Sequence, residues 1–216
     1  QVRVLVITGA GRGFCAGQDL TDRAVKVTDE APDLGESVEK NYNPLVRNIM
    51  TMEKPVLCAV NGVAAGAGAS IALACDIVLA ARSAKFVQAF CKIGLVPDSG
   101  GTYYLPRLIG MQKAAALMFL GDKIMATDAE KMGMIYKAVS DDTLQDEALS
   151  IANKLAKMPT KGIGLTKRLL NQSHSNHLTE QLQLENEMQN QAGETYDYQE
   201  GVNAFLEKRK PVFKGE

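Results

Sequence analysis

Apolar residues in the first half of the chain come in short bursts, and the early bursts end in small residues. Val2–Thr8, Pro55–Val60 and Ile77–Ala80 are rich in Val, Ile, Leu and Ala with little polar alternation. Runs of this length and composition predict strands buried on both faces. Lys85–Val87 is a shorter candidate of the same kind. Ser37–Met52 and Ala65–Cys75 have helical length, and the second is built largely of small residues that permit close packing. Strands alternating with turns and helices predict an α/β class. Thr127-Asp-Ala-Glu130 has capping-box spacing and predicts a helix start. Beyond residue 140 the pattern turns helical. Asp142–Met158, Lys161–Asn171, Leu178–Gln191 and Tyr198–Arg209 place apolar residues three and four apart. Leu182, Leu184 and Met188 form an apolar stripe on a helix otherwise rich in Gln, Glu and Asn. Packing on the parent chain and contact with another subunit both explain it. The chain therefore divides into a core over 1–140 and a helical subdomain over 141–216, with Pro159 and Gly162 as punctuation and no long linker.

The chain has 216 residues, 46% of them hydrophobic, enough for one core with an appended subdomain. Its net charge of −1 gives no basic excess for nucleic acid and no acidic tail. No apolar run reaches the roughly 18 residues that span a bilayer, so no membrane partner is expected. The opening residues have the character of a strand entered midway, not of a secretory leader, and a preceding segment is expected. Cys15, Cys58, Cys75 and Cys91 are widely spaced without a Cys-x-x-Cys pair, which favours free thiols in the reducing cytoplasm. His174 and His177 lack nearby carboxylate or thiol partners in the spacings metals use, so no metal site is expected.

Three segments concentrate glycine: Thr8–Leu20, Asn61–Ser70 and Gly94–Thr102. Each places small residues where an apolar segment gives way to a new element. Backbone N–H groups at such turns bind oxygen that carries or develops negative charge. Two sets of backbone donors and one acid, Asp98, suit chemistry through an enolate. A dinucleotide fingerprint is excluded in the first segment, because Phe14 stands where Gly-x-Gly-x-x-Gly needs its third glycine. A phosphate-binding P-loop is excluded by the lack of Gly-Lys-Ser/Thr.

Phe14-Cys-Ala-Gly-Gln-Asp-Leu20 comes first, then Val60-Asn-Gly-Val-Ala-Ala-Gly-Ala-Gly-Ala-Ser-Ile-Ala72 with Cys75-Asp-Ile77. Gly94–Thr102 with Leu105-Pro-Arg107 follows, and Glu200–Lys210 closes the chain. This ordered set resembles the crotonase family, the enoyl-CoA hydratase/isomerases. The resemblance covers nearly the whole chain. It implies an α/β spiral of strand–strand–helix repeats, a C-terminal helical subdomain that builds homo-trimers or hexamers, and an acyl-CoA substrate. It also implies that a β-hairpin and a helix, which help form the CoA pocket, precede the opening strand. Carried over by motif, the backbone N–H groups of Ala16 and Ala67 form an oxyanion hole. Gly17, Gln18, Asp19, Leu20, Gly66, Gly68, Phe90 and Pro97 become substrate-binding. Arg12 and Arg23, with Lys208, are candidates for the CoA phosphates, against ordinary surface charge. Phe205 is expected in the core and not on the adenine.

The departures from the family pattern set the chemistry. The two glutamates that activate water in hydratases correspond here to Ser70 and Phe90. The remaining acid is Asp98, where hydratases commonly carry glycine and isomerases often carry aspartate. A single carboxylate can take a proton from one carbon and return it to another. Capping the helix after Pro97 is the competing role for Asp98. Four segments, Gly9–Leu20, Asp33–Glu39, Tyr42–Arg47 and Ala80–Phe86, resemble the isomerase branch of phenylacetate catabolism. That branch rearranges a ring-epoxidised phenylacetyl-CoA to its oxepin form and shifts double bonds. The resemblance thus implies an isomerase with no metal or redox cofactor, CoA entering only as part of the substrate. A hydratase with a different base, or a weakly catalytic member binding acyl-CoA or RNA, is the alternative.

Overall fold

The computed structural model describes residues 2–20 and 33–216. These residues divide into two compact units. One comprises Val6–Ile49 and Leu57–Ala148; the other comprises the chain up to Leu5 together with Met50–Val56 and Leu149–Glu216.

The first unit holds the sheets apart from Leu5 and Val56, the first residues of β1 and β2. β1 (Leu5–Thr8), β2 (Val56–Val60), β4 (Ile77–Ala81) and β7 (Lys137–Val139) form a four-stranded sheet in the order β1-β2-β4-β7. β2 runs parallel to β4 with Leu57 opposite Ile77, and β4 parallel to β7 with Leu79 opposite Lys137. Every residue of β2 is buried, as its unbroken apolar run requires of a central parallel strand. β3 (Val63–Ala65), β5 (Lys85–Val87) and β6 (Lys123–Met125) form a second sheet, β3 parallel and β6 antiparallel to β5.

Helices fill the gaps. The predicted helix over 37–52 is observed as α1 (Leu34–Ser37), a π-helical turn (Val38–Tyr42) and α2 (Asn43–Thr51). α3 (Ala67–Ala74) follows β3, and a 3₁₀ turn (Ala89–Ile93) follows β5. α4 (Gly101–Ile109), α5 (Met111–Leu120) and α6 (Ala126–Lys131) complete this unit apart from a 3₁₀ turn (Asp141–Thr143) and the start of α7 (Leu144–Leu155). The capping box expected at Thr127 does not form: α6 opens two residues earlier than that cap would have it, with Met125 at the N-cap. β6 runs straight into this helix, Met125 being extended, and so fixes the start.

The second unit is built on α8 (Thr160–Gln172), α9 (Leu178–Gly193) and α10 (Tyr196–Leu206). Arg3 donates to the Thr160 hydroxyl at 2.7 Å, to the Phe213 carbonyl at 3.0 Å and to the Met158 carbonyl. Buried Asp197 accepts the Lys214 and Gly215 amides at 2.6 and 2.8 Å, tying the C-terminal tail to α10. Of the apolar stripe on α9, Met188 is buried and takes a contact from Arg168, whereas Leu182 is half exposed.

Candidate active site

The turn after β1 is cinched onto the turn after β2. Asn61 accepts the Gly9 amide at 3.0 Å through Oδ1 and donates through Nδ2 to the Gly11 and Gly13 carbonyls at 3.0 and 3.1 Å. A side-chain carbon on Gly62 would lie 2.3 Å from the Arg12 carbonyl oxygen. The glycines thus serve loop-on-loop packing, and the Gly9 amide is already engaged. This is a physical reason, beyond Phe14, why the loop is not a dinucleotide cradle.

Beyond that cinch the chain lies along β3. The Phe14 and Cys15 amides both point at the Val63 carbonyl at 3.1 Å, and the Ala65 amide donates to the Cys15 carbonyl at 2.9 Å. Cys15 pairs with Ala64 as an isolated parallel bridge. Ala16 therefore follows Cys15 on one strand-like segment as Ala65 and Gly66 follow Ala64 on its neighbour. Gly66, at φ +53°, turns the second segment into α3; its amide donates to Val87 at 2.9 Å and its carbonyl accepts from Ser70 at 3.1 Å. That φ belongs to glycine. Ala67 is the first helical residue, and neither it nor Ala16 has a positive φ. A first helical residue has no partner for its N–H within the helix. Among the described residues, neither amide is taken by a backbone hydrogen bond. Two contacts lock the segments together: a side-chain carbon on Gly68 would sit 2.4 Å from the Cys15 carbonyl, and one on Gly17 (φ +90°) 3.0 Å from the Ala65 carbonyl and 3.4 Å from the Ala67 nitrogen. The structure thus brings the two predicted donor segments side by side, with Ala16 exposed and Ala67 buried.

The turn carrying Asp98 packs against the same helix. A side-chain carbon on Gly101, at the start of α4, would lie 2.6 Å from the Ser70 hydroxyl oxygen and 3.4 Å from the Pro97 ring. Asp98 is half buried and its Oδ1 accepts from the Ser99 hydroxyl at 2.9 Å. Ser99, almost wholly buried, has φ +52°, and Gly100 follows at +78°. A serine in the left-handed region is a strained conformation, of the sort that collects at functional sites. The N-cap of α4 is Gly100, so Asp98 stands two residues before the cap position and the capping role does not describe it. Tyr104, one turn into α4, packs on Gly100, and burial pushes its phenol up to about 12, leaving a neutral neighbour.

Neither position of the missing glutamates offers an acid or an open polar surface. Ser70 is fully buried and its hydroxyl has no hydrogen-bond partner among the described residues; Phe90 is 7% exposed, its ring 3.7 Å from where a side-chain carbon on Gly66 would be. Gln88, which opens the 3₁₀ turn bearing Phe90, is also buried with both amide atoms unpartnered among the described residues.

The other predicted residues fall in varied places. Gln18 is half buried, while Asp19 and Leu20 are exposed on the segment that follows Ala16. Arg12 is exposed in the unit that carries the site, Lys208 is exposed in the other unit, and Arg23 lies outside the described residues. Phe205 is 82% exposed, which corrects its expected place in the core. His177 opens α9, its amide donating to Glu180 at 2.8 Å, a capping arrangement that accounts for it. Groups of His, Cys, Asp and Glu able to hold a metal are absent among the described residues. Tyr42 opens one of the segments that carry the resemblance but was given no role by it; its hydroxyl donates to the Gln18 side-chain oxygen at 2.5 Å.

The family described as enoyl-CoA hydratase/isomerase matches residues 1–216. The chain is 57% identical over 214 residues to the 1,2-epoxyphenylacetyl-CoA isomerase of Escherichia coli (strain K12), covering 99% of this chain and 82% of that protein. It is 35% identical to the 2,3-dehydroadipyl-CoA hydratase of the same organism, with the same coverage. It is similar to the crystal structure of an enoyl-CoA hydratase from Bacillus anthracis, with a TM-score of 0.89 at 35% identity over 99% of this chain and 82% of that one. With its α/β architecture, paired backbone-donor segments and adjoining aspartate turn, the chain belongs to the enoyl-CoA hydratase/isomerase family.

Proposed function

We propose that the chain is an acyl-CoA isomerase that works through a thioester enolate, shifting a double bond or rearranging a ring epoxide. The thioester oxygen sits between the Ala16 and Ala67 amides. Their hydrogen bonds strengthen as the carbonyl becomes an enolate, and this preference for the transition state lowers the barrier. On a β,γ-unsaturated thioester, the Asp98 carboxylate removes an α-proton, electrons spread over the dienolate, and the same proton returns to the γ-carbon. The reaction is redox-neutral and draws on no metal or cofactor beyond the CoA of the substrate. Gly17, Gln18, Asp19, Leu20, Gly66, Gly68, Phe90 and Pro97 line the path of the thioester in this reading, and Arg12 meets a CoA phosphate.

One observation carries the choice of isomerisation over hydration. The carboxylate of this site stands on the strained Pro97–Gly100 turn, while the positions of the water-activating acids hold a buried serine and a buried phenylalanine. The 57% identity to a protein named 1,2-epoxyphenylacetyl-CoA isomerase supports a ring-epoxide substrate. A homo-trimer or dimer of trimers belongs to the same proposal, supported by the exposure of Val202 (41%), Phe205 (82%) and Leu206 (71%) on α10. Free thiols at all four cysteines support a reducing, cytoplasmic setting. The net charge of −1 argues against a nucleic-acid partner, and among the described residues no helix is long and apolar enough to cross a membrane.

The test offers a β,γ-enoyl-CoA and an α,β-enoyl-CoA in parallel in heavy-oxygen water. Isomerisation gives the shifted alkene with no label. Stoichiometric label at the β-carbon overturns the proposal in favour of hydration.

A further inference from the structure

We propose that Tyr42 is a positioning residue for the oxyanion segment, and that one face of the helix over 34–51 sets the two halves of the site relative to each other. This rests on the reading that Ala16 and Ala67 hold an enolate and Asp98 moves its proton.

Four observations lead there. First, Tyr42 donates its hydroxyl proton to Gln18 Oε1 at 2.5 Å, and the Gln18 amide nitrogen donates onward to the Asp19 carbonyl at 3.2 Å. Gln18 is two residues past Ala16 and adjoins Gly17, where a side-chain carbon would lie 3.0 Å from the Ala65 carbonyl oxygen and 3.4 Å from the Ala67 nitrogen. A restraint on Gln18 is therefore a restraint on the Ala16 donor. Second, Val46 lies four residues beyond Tyr42, and its Cγ1 stands 3.4 Å from where a side-chain carbon on Gly100 would be. Gly100 belongs to the turn that presents Asp98. Third, Tyr42 and Val46 are half buried and Ile49 is buried, while Asn41, Pro44, Leu45, Arg47 and Asn48 are exposed. Spacings of four and three put these inward residues on one helical face. Fourth, Tyr42 closes the π-helical turn, in which the Asn43 amide bonds to the Val38 carbonyl.

The π turn has a geometric consequence. A five-residue hydrogen-bonded step admits one more residue than an α-helical step, and such turns occur frequently at functional sites. It turns the stretch before Tyr42 by about one residue, roughly 100°, relative to the α2 stripe. Tyr42 thereby continues the Val46–Ile49 face while α1 keeps its own orientation. Outside, Glu39 spans the same turn by accepting from Asn43 and Arg47 at 2.5 and 2.8 Å. The hydroxyl of Tyr42 thus fixes the oxyanion segment while Val46 abuts the turn of the base. The Tyr42 proton is spent on Gln18, so the residue acts through the Ala16 amide and not on the reacting carbons.

The test uses three variants of the full chain on a β,γ-enoyl-CoA: Tyr42→Phe, Gln18→Met and the double variant. Donors that drift by a few tenths of an ångström misalign with the enolate oxygen, and a misplacement of about 1 Å costs on the order of a hundredfold. We expect kcat to fall about tenfold in Tyr42→Phe, with KM within about twofold, because the ground-state thioester tolerates the drift better than the enolate. Gln18→Met is expected to match it, and the double variant to be no slower than either alone, as a shared interaction requires. Unchanged kcat in Tyr42→Phe, or losses that multiply in the double variant, overturns the proposal. Gln18→Met carries the test from the other side of the bond if Tyr42→Phe folds poorly. A wild-type chain that hydrates and does not isomerise overturns the functional reading instead, and the same variants then report on the Tyr42–Gln18 bond through the hydration rate.

Discussion

Gly68 is where packing and catalysis meet most tightly. A side-chain carbon there would lie 2.4 Å from the Cys15 carbonyl oxygen, 2.6 Å from Cys15 Cβ and 2.8 Å from its sulfur. Ordinary contact begins near 3.4 Å, so Gly68→Ala must part α3 from the Cys15–Gly17 segment by about 1 Å. The closest obstacle is backbone, tied to β3 by three hydrogen bonds, so it cannot swing aside like a side-chain end. Overpacking of this kind costs about 1–3 kcal/mol of stability. The catalytic cost should be larger, because the separation falls between the two amides proposed to share the enolate oxygen. A shift of about 1 Å, or the loss of one such donor, lowers kcat by roughly a hundredfold or more. Circular dichroism and melting establish that the variant folds, and initial rates on a β,γ-enoyl-CoA give kcat. Gly13→Ala is the control, since nothing lies within 4 Å of its new carbon. A folded Gly68→Ala with wild-type kcat would show that the two segments need not be in register, and the oxyanion assignment would fall.

Two further outcomes follow from groups outside the donor segments. Burying a hydroxyl without a partner costs about 1–3 kcal/mol, so Ser70→Ala should be as stable as the parent or more so, and isomerise within about twofold of its rate; a clear drop in melting temperature would show that the hydroxyl is bonded after all. Glu200 is held at about 2 by the Arg209 guanidinium and then by the Val212 amide. Its folded value is depressed, so the stabilisation it gives is present above the ordinary carboxylate range and fades as pH falls from about 4.3 toward 2. Glu200→Gln should melt lower at pH 7 and lose less on acidification than the parent, and equal pH dependence of the two melting curves would contradict the assignment.

The parts of the fold that were legible were those where one physical demand dominates. An unbroken apolar run such as Val56–Val60 has little alternative to a strand covered on both faces, and the small residues of 65–75 mark a helix that must approach other backbone closely. Of the four three-residue strands only β5 was legible; β3, β6 and β7 carry too few positions for a period to register, and tertiary pairing makes them. Thr127 obeyed a local capping rule that the strand running into α6 overrode. In the site, Asp98 stood out as the lone acid among glycines, but its distinction from a cap depended on Gly100 taking that position. Large aromatics usually belong to a core, which is why the sequence points Phe205 inward; on α10 it is exposed instead, and no local pattern distinguishes the two. Tyr42 begins a segment that carries the resemblance, but its bond to a partner 24 residues earlier, across the end of a π turn, is a pairing no local pattern announces.

The central claim is that the Asp98 carboxylate carries the proton, and Asp98→Asn isolates it. Asparagine keeps the shape and an oxygen to accept the Ser99 hydroxyl, and it removes only the basic oxygen. The measurement is the single-turnover rate of β,γ to α,β conversion at saturating enoyl-CoA, with acyl-CoA affinity measured on the same preparation. We predict a rate at least about a hundredfold below the parent, with affinity within a few-fold because Ala16 and Ala67 remain. An Asp98→Asn variant that isomerises at the parent's rate would contradict the claim.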